Sequence, residues 1–271
     1  MTKTKLVERV SFRDSDHTYH LNGKRIPSVT GILGNLSKPA LVFWSANMAA
    51  DAVRDWFNAN ALAAGVDRIG GRFVELDEGS IEDVCYLAKR AHVDVKNRAA
   101  KKGSAVHNAI EQFHANFYEA TPPVEPDELA AWTAFIEWWS TAGLTAVAVE
   151  QKVVDPDGRY AGRFDLLAMD EDEQLYVCDV KTSNGVYTES AMQNAAYAHA
   201  LESENVHTVA GTKVLWLPAG ATKITVVERD REEWLLDYAA FDALVTVHAY
   251  RKGMDAFHKD INDAHKAGVS E

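Results

Sequence analysis

Apolar residues recur along this chain in two rhythms, and the change between them falls near residue 144. Before it the spacing is helical. Leu41, Trp44, Met48, Ala52 and Trp56 mark one side of a helix that starts at Pro39, where proline suits the first turn, and ends at Gly65. Ser80, followed by Glu82 and Asp83, predicts the N-cap of a second helix running to Gly103. A third helix, SAVHNAIEQFHANF, starts near Ser104. A fourth, DELAAWTAFIEWWSTAG, runs to Gly143 after the linker TPPVEPDE, whose three prolines in five residues cannot continue a helix. Ahead of these, HTYHLNGKRIPSVTGIL sets Asn22-Gly23 between two short alternating runs, the composition of a type I′ hairpin.

After 144 the apolar residues alternate. Strands are predicted at 144–154, 160–169 and 175–182, with the turn Asp155-Pro156-Asp157-Gly158 after the first. A helix, YTESAMQNAAYAHALES, follows, then strands at 207–217 and 222–228, and a long helix from Arg231 closes the chain. The central order is α-β-β-β-α-β. It predicts an α/β domain with a central mixed sheet and extra N- and C-terminal helices.

Polar residues break the alternation where it should be most apolar. In the strand 160–169, Asp165 shares a face with Leu167 and Met169; in 175–182, Asp179 and Lys181 share one with Leu175 and Val177. If the five residues Asp170–Gln174 close the hairpin, Met169 opposes Leu175 and Asp165 opposes Asp179. Two adjacent carboxylates repel, and a shared divalent cation or a shared proton relieves them. Glu150 interrupts the run AVAVEQKVV of the preceding strand and offers a third carboxylate to the same corner. Oxygen ligands select a hard cation, Mg²⁺ or Mn²⁺, over Zn²⁺. A lysine beside such a cation can orient or activate water, and the assembly suits hydrolysis of a phosphodiester. A glycosidase also uses paired carboxylates, but adjacent strand carboxylates flanking a lysine suit a cation better than a sugar.

The pattern Gly162-Arg163-Phe164-Asp165, a hairpin, then Asp179-Val180-Lys181-Thr182 resembles the PD-(D/E)xK nuclease superfamily, in its RecB-like exonuclease branch. Gln193 and Tyr197 match that branch's Gln-x-x-x-Tyr motif, and KKGSAVH resembles its Gly-x-x-x-His motif, giving His107. The resemblance covers about residues 100–217, and the opening GKRIPSVTGILGNLSKPALVFWSAN is similar to phage-encoded members. It implies a restriction-endonuclease-like core in one nuclease domain, 1–271: hairpin and helices to 100, core at 101–230 and a C-terminal helix from 231. It implies that His107, Glu150, Asp165 and Asp179 hold Mg²⁺ or Mn²⁺, that Glu150, Asp165, Asp179 and Lys181 are catalytic, and that Gln193 and Tyr197 position the DNA and the site. The function implied is a metal-dependent DNA exonuclease of phage DNA recombination, repair or degradation. The alternatives are a structure-specific endonuclease and a DNA-binding recombination partner with little or no nuclease activity.

Charge and cysteine content then adjust this picture. A net charge of −12 argues against a surface that attracts phosphate everywhere. Residues 89–102, however, carry six basic side chains against Asp94 alone and run into the helix bearing His107, so Lys101 and Lys102 are candidate DNA contacts. DNA is thus the expected partner, with a single-strand annealing protein as a further candidate. Some relatives hold an iron–sulfur cluster on four cysteines; with only Cys85 and Cys178 this chain cannot, nor can it build a disulfide framework. Absence of a secretion signal and of a run of about 18 apolar residues makes cytoplasm, without a membrane, the expected location.

Overall fold

The computed structural model describes residues 10–13, 15, 18–36, 38–63, 78–116, 119–203 and 208–268, excluding the side chains at 40, 61–63, 98–104, 267 and 268. The chain divides into two compact units, Met1–Leu36 with Gly103–Glu271, and Ser37–Lys102.

The first unit opens with a small antiparallel sheet of β1 (Val10–Arg13), β2 (Thr18–Leu21) and β3 (Lys24–Ile26). Asn22 and Gly23 both take positive φ, 52° and 78°, between Leu21 and its partner Lys24. That is the two-residue turn the dipeptide predicts, since both central positions of a type I′ turn need φ > 0. The strand β1 and the single-turn helix α1 (Val29–Leu33), capped by the Ser28 hydroxyl on Gly31 N at 2.9 Å, were not evident in the sequence pattern.

The second unit holds α2 (Pro39–Ala63), which starts at the expected proline; Gly65 lies outside the described residues. The two helices expected on either side of Gly103 are instead one, α3 (Glu78–Ala115), and Ser80 lies inside it rather than capping it. Glycine inside a helix costs about 1 kcal/mol relative to alanine, and the rest of a 38-residue helix outweighs that. The part from Gly103 onward belongs to the first unit.

There the order α4 (Pro126–Trp139), β4 (Thr145–Val154), β5 (Ala161–Met169), β6 (Leu175–Lys181), α5 (Thr188–Ser203), β7 (Val209–Trp216) reproduces the predicted α-β-β-β-α-β succession. The strand β8 (Thr225–Arg229) and the helix α6 (Arg231–Gly268) follow. The fourth helix stops at Trp139, short of the expected Gly143, which has φ +64°. The five strands form one mixed sheet in chain order, β4-β5-β6-β7-β8, antiparallel except for β6 and β7, which α5 connects in parallel.

Helices cover both faces. On one, α1, α5 and α6 pack Ile32, Ala196, Trp234 and Phe241 onto Leu167, Leu175 and Val177. On the other, Val106 and Ile110 of α3 join Trp132, Phe135 and Trp139 of α4 over Leu166, Ala168, Cys178 and Val180. The α4 tryptophans are core packing, as their helical spacing predicts: Phe135 stacks with Trp132 and Trp139 at interplanar angles of 23° and 21°. His114 sits among these rings, where burial pushes its imidazole down to about 4. Among the described residues no helix is long and apolar enough to cross a membrane.

Candidate active site

Three neighbouring strands each bring one carboxylate to a common row. The register Val149↔Leu166 and Gln151↔Phe164 sets Glu150 of β4 across from Asp165 of β5. Met169↔Leu175 through Leu166↔Cys178 is the register the sequence predicts, and one further step sets Asp165 against Asp179 of β6.

The sheet is distorted along this row. The β5–β6 ladder ends at Leu166↔Cys178, because Val180 N donates to Asp165 Oδ2, at 2.8 Å, in place of a backbone acceptor. Alternation slips at the same point: Phe164 and Leu167 join one core cluster while Leu166 joins the other. Glu150 has φ +50°, a left-handed conformation that costs a non-glycine residue about 1–3 kcal/mol.

Each carboxylate has its own polar partner. Glu150 Oε2 lies 2.7 Å from Arg163 Nε, Asp165 Oδ2 lies 3.5 Å from His107 Nδ1, and Asp179 Oδ2 lies 2.6 Å from Lys181 Nζ. Burial, then the Asp165 charge, pushes the Glu150 carboxyl up to about 7 despite Arg163. Burial likewise raises Asp179, which is 1% exposed, and the Lys181 ammonium offsets part of that rise. Although Lys181 Nζ is close, its direction makes no hydrogen bond to Asp179 Oδ2, which is left buried without one. Its partner is the Lys181 ammonium, an ion pair with no further donor to the same oxygen among the described residues.

The helix α5 organises the Asp179–Lys181 pair. Gln193 Nε2 donates to Asp179 Oδ1 at 3.1 Å and to the Tyr197 hydroxyl at 3.0 Å, and Gln193 Oε1 accepts from Lys181 Nζ at 3.2 Å. The spacing i, i+4 sets Gln193 above Tyr197 on one helix face. Tyr197 is buried, so it fixes Gln193 from beneath rather than reaching outward. A β-carbon at Gly162 would stand 2.4 Å from Tyr197 Cε1, so the ring occupies the space the glycine vacates. Gly162 and Tyr197, 35 positions apart in sequence, are therefore one packing unit.

His107, Glu150, Asp165, Asp179, Lys181, Gln193 and Tyr197 thus all belong to one contiguous site. Lys101 and Lys102 lie in α3, but their side chains fall outside the described residues. Glu111, one turn from His107, is exposed, and its charge adds to the rise at Glu150. Sequence reading did not assign Arg163 to Glu150; the alternation of β4 and β5 was the available signal, since Lys152↔Arg163 is a paired position two residues from Glu150. Among the described residues, no three His, Cys, Asp or Glu side chains already converge as a closed ligand set. The donors nevertheless fit a hard divalent cation by their chemistry: three carboxylates on adjacent strands beside a single imidazole.

No protein-family model matches this sequence, and no curated protein is similar to it. Solved structures that match include SSO0001, 11% identical over 72% of this chain and 85% of that one, with a TM-score of 0.30. A likeness of that size carries no functional weight.

Proposed function

We propose that this protein is a metal-dependent deoxyribonuclease of the PD-(D/E)xK superfamily, in its RecB-like branch, acting as an exonuclease. The observation that supports this most is the row Glu150, Asp165, Asp179 across three adjacent strands, with Lys181 at its end ion-paired to the buried Asp179. His107, Glu150, Asp165 and Asp179 would hold Mg²⁺ or Mn²⁺. When bound, such an ion supplies an acidified water and stabilises charge on the phosphoryl oxygen. Lys181, held by Asp179 and Gln193, orients the attacking water and steadies the negative charge that develops as it loses its proton. Gln193 keeps carboxylate and ammonium in register, and Tyr197 keeps Gln193 in place. Arg163, 48% exposed beside Glu150, is a cation available to a DNA phosphate.

The deciding assay uses linear and circular DNA, labelled at 5′ or 3′ ends, with Mg²⁺ or Mn²⁺. Mononucleotides released from linear but not circular DNA are expected. Nicked circles would instead assign the same site to an endonuclease, and absence of metal-dependent cleavage on every substrate would overturn both.

Cation binding has its own readout in thermal stability. The Glu150 carboxyl is raised from 4.5 to about 7, so it holds its proton more tightly folded than unfolded. Its contribution to stability is fully present below about pH 4.5 and is lost as pH rises through about 7. Mn²⁺ competes with that proton, so the rise in Tm it causes should be larger at about pH 8 than at about pH 6. Glu150→Gln should raise the metal-free Tm at about pH 8 and shrink the Mn²⁺ effect. An unchanged Tm with millimolar Mn²⁺ at about pH 8 would remove Glu150 from the proposed ligands.

A further inference from the structure

Arg163 has two neighbours of opposite kind. Its guanidinium lies 5.7 Å from the centre of the Phe12 ring, which packs against the buried Tyr19 at 4.9 Å. The small N-terminal sheet thus gives the cation an aromatic wall. Its other neighbour is Glu150, whose Oε2 lies 2.7 Å from Nε. Across the ladder from Arg163 is Lys152, exposed, whose ammonium donates to Val10 O at 3.2 Å. Two cations on adjacent strands therefore stand beside the carboxylate row of a chain whose net charge is −12.

The Glu150 contact is one of charge rather than direction. Among the described residues, no N–H of the Arg163 guanidinium makes a hydrogen bond, to Glu150 or to any other group. A group that orients a metal ligand does so through a directed hydrogen bond. Arg163 instead acts on Glu150 as a nearby positive charge, which opposes the rise that burial and Asp165 impose on its carboxyl. Such a charge offsets the negative oxygen that draws a divalent cation, and it repels the cation as well. The same half-exposed guanidinium presents a planar fork of donors, the group that phosphate oxygens engage two at a time.

We propose, on the nuclease reading above, that Arg163 guards Glu150 in the DNA-free protein, and that a DNA backbone phosphate, by engaging the guanidinium, releases Glu150 to the cation. DNA and metal then strengthen each other's binding, by the same factor in either order. The Phe12 contact does not involve the carboxylate, so the ring keeps the guanidinium beside the site after Glu150 lets go. Full cation affinity is thereby reserved for the protein with a DNA strand in place.

The test is binding, at about pH 8.5, well above the Glu150 carboxyl at about 7. By calorimetry on DNA-free protein, Arg163→Gln should bind Mn²⁺ about fivefold or more tightly than the unaltered chain. Arg163→Lys keeps the charge and should stay within about twofold of it. A partner that oriented Glu150 would give the opposite sign, since its loss would weaken Mn²⁺. In EDTA, anisotropy of a labelled duplex should show weaker binding by Arg163→Gln, with the salt slope reduced by about 1. In the Lys181→Ala background, which spares the duplex, DNA should tighten Mn²⁺ about tenfold, and Arg163→Gln should shrink that gain. Mn²⁺ affinity unchanged or lowered by Arg163→Gln, raised equally by Arg163→Lys, DNA affinity unchanged, or an undiminished gain each overturns the guard. If the unaltered protein still binds Mn²⁺ and DNA in that case, the nuclease reading stands without it. An unaltered protein that binds neither removes both.

Discussion

Lys181→Ala should lower metal-dependent DNA cleavage by about 10²–10⁴-fold, the usual contribution of one well-placed proton-handling group. Lys181 is the cation that meets both the buried Asp179 and Gln193, at 2.6 and 3.2 Å, and an alanine leaves these two held only by each other and by Tyr197. Breaking a buried ion pair also endangers the fold, by about 3–5 kcal/mol when the remaining charge has no escape. Here it has one. Burial already pushes Asp179 towards its neutral form, so without Lys181 the carboxyl takes up a proton, and the cost falls below that range. The expected signature is therefore a large loss of rate with a modest loss of Tm. Asp179→Asn should lose cleavage to a similar depth and also weaken the Mn²⁺ shift in Tm, which Lys181→Ala retains at about pH 8, where Mn²⁺ displaces the Asp179 proton. Cleavage by Lys181→Ala within threefold of the unaltered protein would show that this ammonium takes no part in the reaction.

Gln193→Leu separates positioning from chemistry at the same corner. It keeps the helix face over Tyr197 but removes both the acceptor for Lys181 and the donor to Asp179. A loss smaller than that of Lys181→Ala, with a shifted pH profile of cleavage, is expected from a residue acting through its neighbours.

How much of this was legible in the sequence depended on whether a feature is local. The register that sets Asp165 against Asp179 follows from a five-residue loop counted back along two antiparallel strands, even though alternation slips at Phe164–Leu167, and Asp170 N donating to Gln174 O, 3.0 Å, closes that loop. The end of the ladder at Leu166↔Cys178 was not legible, because it rests on a side chain outcompeting a backbone acceptor for Val180 N. Gly103 misled for the opposite reason: its local helix preference is weak, but its context overrides it. Gly162 and Tyr197 are recognisable separately as motif positions, while the contact that couples them appears only when α5 lies on β5. The left-handed Glu150 has no sequence mark at all, since glutamate is not a residue that favours φ > 0.

Asp155→Ala should destabilise the protein by about 3–5 kcal/mol, more than any single exposed charge could. The turn Asp155-Pro156-Asp157-Gly158 is visible in the sequence, with Gly158 at φ +69°, but composition does not reveal that Asp155 is fully buried. Its Oδ2 accepts from Asp157 N, Arg159 N and Arg159 Nε at 3.0, 3.1 and 2.9 Å, and its Oδ1 accepts from Arg159 Nη2 at 2.8 Å. Arg159 continues to Asp242 of α6 at 2.6 Å and to the Tyr238 hydroxyl at 3.2 Å. One carboxylate therefore closes the β4–β5 turn and aims the arginine that fastens this turn to α6. Alanine strips the turn of its acceptor and leaves Arg159 to Asp242 and the Tyr238 hydroxyl, which lie on α6 and no longer tie it to the turn. Asp155→Asn should cost nearly as much, because an amide nitrogen in place of one oxygen would point a donor at a donor. Urea unfolding measures both. The Asp155 side chain makes its hydrogen bonds to Asp157 and Arg159 rather than to a residue of the proposed site, so below the melting range cleavage per folded molecule should fall far less than in Lys181→Ala. A change under about 1 kcal/mol would mean that the Asp155–Arg159 pair closes the turn without contributing to the stability of the fold.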